Sequence, residues 1–226
     1  MSPTEPENIT IPVTDSQAVS GLVLSPTEPS ACFVFAHGAG AGMGHSFMTA
    51  FSTGLAERGI ASLRFQFPYM ENGSKRPDTP KVAHAAVRAA VAEASRRYPK
   101  ALLVAGGKSF GARMTSQAQA LAALPGVKGL AFVGFPLHPA GKPSIERAEH
   151  LSKVKVPMLF LEGTRDELAE LELLKPVVAS LKPLSTLVLF DDADHSFHVR
   201  ARSGSNDAQV MSDMLDAFVA WATTLS

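Results

Sequence analysis

Apolar positions along this chain change period from segment to segment. Residues 9–13 and 18–24 alternate apolar and polar, the pattern of an antiparallel pair of strands. Residues 31–36 (Ala-Cys-Phe-Val-Phe-Ala) form a continuous apolar run, which suits a strand covered on both faces. Phe47, Phe51 and Leu55 then recur at helical spacing and predict a helix over 46–58. A strand is expected over 61–67, followed by a loop over 68–80 rich in Pro, Gly and charge. Residues 81–98 are alanine-rich and predict a second helix. A short strand over 102–105, ended by Gly106-Gly107, leads into a helix over 110–123. Strands follow at 127–135 and 157–161, then a helix over 166–181, a strand over 186–190 and a last helix over 206–223.

Strands that alternate with helices argue for an α/β fold, with a mainly parallel sheet and helices on both faces. No repeat, low-complexity tract or long linker divides the 226 residues, so one domain over 1–226 is expected. Only about 20 residues separate Phe135 from Pro157, too few for a lid or cap domain.

In sheets of this kind the reactive groups gather at the carboxyl ends of the strands. The strand at 102–105 ends in Gly107-Lys108-Ser109-Phe110-Gly111, a G-x-S-x-G motif followed directly by a helix. A nucleophile presented on a tight strand-to-helix turn needs glycines beside it, because neighbouring side chains would clash. The helix start also aims backbone N–H groups at the site. Serine needs a base within hydrogen-bond reach, and that base needs a group to orient it.

Seven histidines are available, and in a strand-by-strand order of Ser, acid, His the base follows the last strand. The loop after 186–190 offers His195 and His198, of which His195 lies nearer the strand end and follows an acidic turn. The acid should follow the preceding strand, where Asp166 closes Glu162-Gly163-Thr164-Arg165-Asp166. Asp166 could also cap the helix predicted to start there. Glu162 is one rival for the acid, and Asp191, Asp192 and Asp194 are others by proximity to His195.

An oxyanion hole would use the N–H after the nucleophile, that of Phe110, and one from the small-residue loop His37-Gly38-Ala39-Gly40-Ala41-Gly42. Ala39 is the first choice for the second donor, with Gly40 behind it. Met43, Phe110, Phe135 and Leu137 are candidate apolar walls for a substrate. His37 reads as a structural residue bonding backbone in its loop, and His45 as a residue at a helix start. Lys108 would raise the local positive potential, and Arg113 would anchor its helix to a carboxylate such as Glu71. The glycine pattern at 38, 40 and 42 lacks dinucleotide-binding spacing, and Lys108-Ser109 lacks the glycine spacing of a P-loop.

Composition narrows the partners. Apolar residues make up 46% and charged residues 19%, with 21 acids against 21 bases. No basic block could hold a nucleic acid or an anionic membrane. No apolar run reaches the roughly 20 residues that span a bilayer. The acidic, proline-bearing start, Met1 to Asn8, lacks the character of a signal peptide, so a cytoplasmic location is expected. The single cysteine, Cys32, reads as a core residue, and neither a metal nor a cofactor is expected.

Several motifs together resemble one family. They are His37-Gly38-Ala39-Gly40, Arg64 to Glu71, Gly106 to Gly111, Phe135-Pro136-Leu137-His138-Pro139, Gly163-Thr164-Arg165-Asp166 and Asp194-His195-Ser196-Phe197. Over nearly the whole chain they are similar to small α/β-hydrolases related to dienelactone hydrolase, which itself carries a cysteine where Ser109 stands. The resemblance implies a three-layer fold without a cap and a Ser109–Asp166–His195 triad. The resulting expectation is a serine hydrolase, a carboxylesterase acting on a small-molecule acyl ester through an acyl-enzyme. Acyl transfer or perhydrolysis on the same triad, or a non-catalytic scaffold of the kind implied by eukaryotic relatives that look like scaffold subunits of chromatin-modifying complexes, are the alternatives. Oligomeric state is left open.

Overall fold

The computed structural model describes residues 5–225; Met1 to Thr4 and Ser226 lie outside the described residues. The strands are β1 (Glu7–Thr14), β2 (Gln17–Leu24), β3 (Ala31–Ala36), β4 (Ile60–Phe65), β5 (Leu102–Lys108), β6 (Val127–Val133), β7 (Met158–Gly163) and β8 (Ser185–Phe190). The helices are α1 (Ser46–Glu57), α2 (Pro68–Glu71), α3 (Pro80–Arg97), α4 (Phe110–Leu121), α5 (Leu171–Ser180) and α6 (Asp207–Ala222).

One eight-stranded sheet runs in the order β1-β2-β4-β3-β5-β6-β7-β8. The β1–β2 and β2–β4 pairs are antiparallel, and every pair from β4 to β8 is parallel. Helices cover both faces, and among the described residues no cap domain stands over the sheet.

The apolar run of β3 shows why both faces must be covered. Cys32, Val34 and Ala36 join a core formed with α3, α4 and α5, while Ala31, Phe33 and Phe35 join a second core formed with α1 and α6. In that second core Phe33 and Phe218 sit 4.8 Å apart between ring centroids, and Phe35 and Phe51 sit 5.2 Å apart. All four rings are fully buried, and each contributes about 2 kcal/mol relative to exposure. Cys32 is fully buried in the first core, and burial pushes its thiol up to about 12.

The structure departs from the sequence reading at two places that matter for the site. Strand β5 continues through Gly106 and Gly107, which pair with Phe35 and Ala36 of β3 and with Ala131 and Phe132 of β6. A Cβ at Gly106 would strike the Ala131 carbonyl, so glycine is here a requirement of the ladder rather than its end. The helix expected from 166 begins at Leu171 instead, with Glu170 at its N-cap, so Asp166 caps no helix. The 68–80 loop also contains the short helix α2.

Candidate active site

Ser109 is the hinge residue between β5 and α4, at φ 51° and ψ −112°. This left-handed conformation is costly for a residue with a side chain, and it is held from several sides. Ser109 N donates to the Val133 carbonyl at 3.1 Å, which ties the turn to β6. A Cβ at Gly107 would stand 2.6 Å from the Ala36 carbonyl oxygen, and one at Gly111 would run into the same oxygen. Both glycines of the motif are therefore required by the close approach of β3. Phe110 is the first residue of α4, so its N–H has no intrahelical acceptor and points out of the helix start beside Ser109.

Three side chains from three strand ends meet here. Ser109 Oγ lies 2.8 Å from His195 Nε2, and His195 Nδ1 lies 2.6 Å from Asp166 Oδ2. A carboxylate only accepts, so Nδ1 donates to Asp166 and leaves Nε2 to accept from the serine hydroxyl. The Asp166 side chain is fully shielded, whereas that of His195 is 24% exposed and faces the cleft. Asp166 Oδ1 also accepts from Leu168 N at 2.8 Å, which fixes the carboxylate within its own turn. At Gly163 a Cβ would collide with the Ala193 carbonyl, so glycine lets the histidine loop pack onto the end of β7.

The rivals are engaged elsewhere. Glu162 Oε1 accepts from Phe135 N at 2.6 Å, and burial raises its carboxyl well above the usual range, helped by Asp166. Asp192 binds Arg200 and approaches Arg165. Asp194 Oδ1 accepts from Ser196 N and His198 N at 2.8 and 3.1 Å and so shapes the loop that carries His195. Asp191 is exposed. His198 is exposed and pairs with Asp207 at 2.9 Å.

Other expectations fare differently. His37 does bond its own loop, at Gly38 O, and it also accepts from Phe67 N at 3.0 Å. His45 caps α1 by accepting from Phe47 N at 3.2 Å. Arg113 does not reach Glu71, which instead accepts from Ser20 N and Ser20 Oγ at 3.0 and 2.7 Å. Lys108 does more than add charge: Nζ donates to the His195 carbonyl oxygen and lies 5.2 Å from the Phe197 ring centroid. Burial pushes its ammonium down to about 8, against the pull of Asp166, Glu162 and Asp194. Nothing in the local sequence signals that contact, because Lys108 and His195 are 87 residues apart.

Two cavities meet at Ser109. One, about 410 Å³, is lined by His45, Phe47, Met48, His195 and Ser196 among others. The second, about 350 Å³, is lined by Phe110, Arg113, Met114, Pro136 and Arg147 among others. Ala39, Ser109 and Leu168 line both. Of the expected oxyanion donors, Ala39 is therefore beside the serine, whereas the Gly40 N–H is committed to Tyr69 Oη at 3.1 Å. Of the expected apolar walls, Phe110 lines the second cavity and the other three line neither. Phe135 and Leu137 are fully buried in the core, where Phe135 packs against Phe132 and Phe160. Met43 lines neither cavity, and its backbone bonds Gln66 and Arg64.

Among the described residues no group of three His, Cys, Asp or Glu side chains is placed to hold a metal ion. Among the same residues no helix is long and apolar enough to cross a membrane.

This arrangement of sheet, turn and strand-end side chains is that of an α/β-hydrolase. Residues 29–223 match the family described as the alpha/beta hydrolase domain, and the chain belongs to that family. Solved structures of similar fold include a dienelactone hydrolase from Anabaena variabilis, with a TM-score of 0.77 and 17% identity over 97% of this chain and 99% of that one. An α/β serine hydrolase homologue from Coxiella burnetii gives 0.75 and 18%, over 96% and 97% of the two chains. A lidless α/β serine hydrolase from Xanthomonas campestris gives 0.73 and 20%, over 96% and 95%. At these identities the likeness is one of fold.

Proposed function

We propose that this protein is a serine hydrolase that cleaves small carboxylic esters through an acyl-enzyme. What carries the reading is the unbroken hydrogen-bonded chain from Ser109 Oγ through His195 to Asp166, ending on a serine at positive φ. As Ser109 Oγ bonds to the substrate carbonyl carbon, its proton passes to His195 Nε2, and Asp166 stabilises the imidazolium that forms. The carbonyl oxygen becomes an oxyanion held by the N–H groups of Phe110 and Ala39. Collapse breaks the bond to the leaving alkoxide, which takes the proton from His195. Water then repeats the sequence on the acyl-enzyme, releasing the acid and restoring Ser109.

The test is covalent. A fluorophosphonate reacts with a serine made nucleophilic by a neighbouring base and not with an ordinary surface serine. One adduct per chain is expected, mapped to Ser109 by mass spectrometry and absent in Ser109→Ala and His195→Ala. The wild type should also release 4-nitrophenol from 4-nitrophenyl acetate. Folded protein that gives neither adduct nor turnover would overturn the reading in favour of a binding scaffold.

A further inference from the structure

The second cavity beside Ser109 is lined by two arginines without an acceptor, whereas Lys108, which lines the first, donates to the His195 carbonyl oxygen. Arg113 projects from the first turn of α4, and Arg147 from the helical turn Glu146–Lys153 that packs against α4. Both are half-buried and line the same cavity. Most of the chain's other arginines have acceptors: Arg58 holds Asp216, Arg97 holds Glu7 and Glu93, Arg200 holds Asp192, and Arg64 and Arg88 hold carbonyl oxygens. Arg113 and Arg147 have neither an ion pair nor a hydrogen-bonded acceptor among the described residues. Arg113 Nε is completely buried without a partner, and its guanidinium lies 5.9 Å from the Phe110 ring centroid.

Burial pushes both guanidinium groups down, and Arg147 acts further on Arg113. Nearby His150, whose Nε2 lies 2.8 Å from Ser116 Oγ, is pushed down to about 4 by burial and by Arg113, so at neutral pH it is uncharged. The one carboxylate lining the cavity is Asp78, which accepts from Tyr69 N at 2.9 Å. Two guanidinium groups against one committed carboxylate leave the cavity net positive. Guanidinium pairs of this kind match the geometry of a carboxylate and cost desolvation when left empty.

The position of His195 assigns this cavity to one half of the substrate. A base that returns its proton to the leaving oxygen must lie on the leaving-group side of the scissile bond. His195 lines the cavity with Phe47 and Met48 and does not line the one with Arg113 and Arg147. The leaving group thus faces the first cavity, and the acyl chain the second. Building on the hydrolase reading above, we propose that the acyl group carries a second anionic group, a terminal carboxylate held between Arg113 and Arg147. The substrates are then half-esters of short dicarboxylic acids.

Two measurements separate this proposal from the function it builds on. The first compares mono-4-nitrophenyl glutarate and adipate with 4-nitrophenyl pentanoate and hexanoate, with Ser109→Ala subtracting background cleavage. The wild type should favour the anionic esters in kcat/KM by about tenfold or more, through KM, and added salt should reduce the preference. Arg147→Gln and Arg113→Gln should each erase most of that preference, read within each variant as the ratio of kcat/KM for the anionic ester to that for the neutral ester of equal length. Equal activity on both series, unaltered by the variants, would overturn the anion site and leave the hydrolase standing. The second measurement is calorimetric titration with glutarate, which needs no turnover. Binding to wild type that is lost in Arg147→Gln supports the anion site even if no ester is cleaved, and absence of binding to wild type overturns it.

Discussion

Lys108 Nζ donates to the main-chain carbonyl of His195, so the residue just before the proposed nucleophile grips the backbone of the proposed base. A Cβ at Gly134 would stand 3.0 Å from that nitrogen and 3.4 Å from the His195 ring, so glycine at φ 68° leaves room for both. Lys108→Met is expected to keep the fold and lower kcat by roughly 10–100-fold with a smaller change in KM, because a displaced imidazole loses its alignment with Ser109. Unchanged kcat in steady-state kinetics would remove Lys108 from the machinery. The amine also leaves a signature in stability. Its proton is held to about 8 in the folded chain and to 10.5 in a solvated lysine. Between those values the unfolded state binds more protons, so stability conferred through this group rises with pH and is lost as pH falls through about 8. Denaturant titrations should show that rise in the wild type relative to Lys108→Met.

Asp166→Asn tests the orienting role with little structural disturbance. The amide oxygen can still accept from Leu168 N, as Asp166 Oδ1 does at 2.8 Å, so the turn should survive. The other contact cannot survive, because an amide in place of Oδ2 no longer forces the proton onto His195 Nδ1. Turnover should fall by about 10⁴-fold, the size seen for the equivalent change in the serine-protease triad that serves as the general example. Asp194→Asn should cost far less. A larger loss there than at Asp166 would reassign the acid.

Much of this site could be read in the sequence because each part ends a strand. Ser109 is marked by a contiguous signal, glycines on both sides and a helix after it, and the sterics of that signal are local to β3, β5 and α4. Asp166 and His195 follow from element order, since β7 and β8 each deliver one side chain to the sheet edge. Contacts set by packing between distant segments were not legible. Phe135 and Leu137 sit just past β6 as a cavity wall would, yet Glu162 binds Phe135 N and draws the segment into the core. Gly106-Gly107 looks like a strand break, because glycine weakens most strands and the crowding from Ala131 that requires it comes from β6. The false helix start at 166 has the same origin: Asp166 turns its oxygen to Leu168 N, and the chain needs further residues before α5 begins. Arg113 and Arg147 lie 34 positions apart, by subtraction of their residue numbers, with no pattern linking them.

Acid should destabilise this protein before its carboxylates titrate. His37 is fully buried, accepting from Phe67 N, and burial pushes its imidazole down to about 4. His150 is pushed down to about 4 as well. The unfolded chain protonates both near 6.5 while the folded chain does not, so stability present above 6.5 is lost progressively as pH falls toward 4. For His37 the total is on the order of 3 kcal/mol at most. Thermal unfolding followed from pH 7 to pH 4 should show Tm falling, with a shallower fall in His150→Gln. A flat Tm over that range would contradict the neutral state of both rings.

Acyl length supplies the last expectation. Among the described residues no cap extends the cleft, and the cavity that His195 does not line measures about 350 Å³, near the lower end for small-molecule sites. It is lined by Pro136, Met114 and the two arginines among others. With neutral 4-nitrophenyl esters, kcat/KM should be highest from acetyl to butyryl and should fall beyond about eight carbons, where methylene groups leave the cavity and return to water. Widening the wall by Met114→Ala should move the optimum toward longer chains, because Met114 lines the cavity and truncating it adds space there. A wild-type preference for long-chain triglyceride would show that the acyl chain takes a different route across the surface.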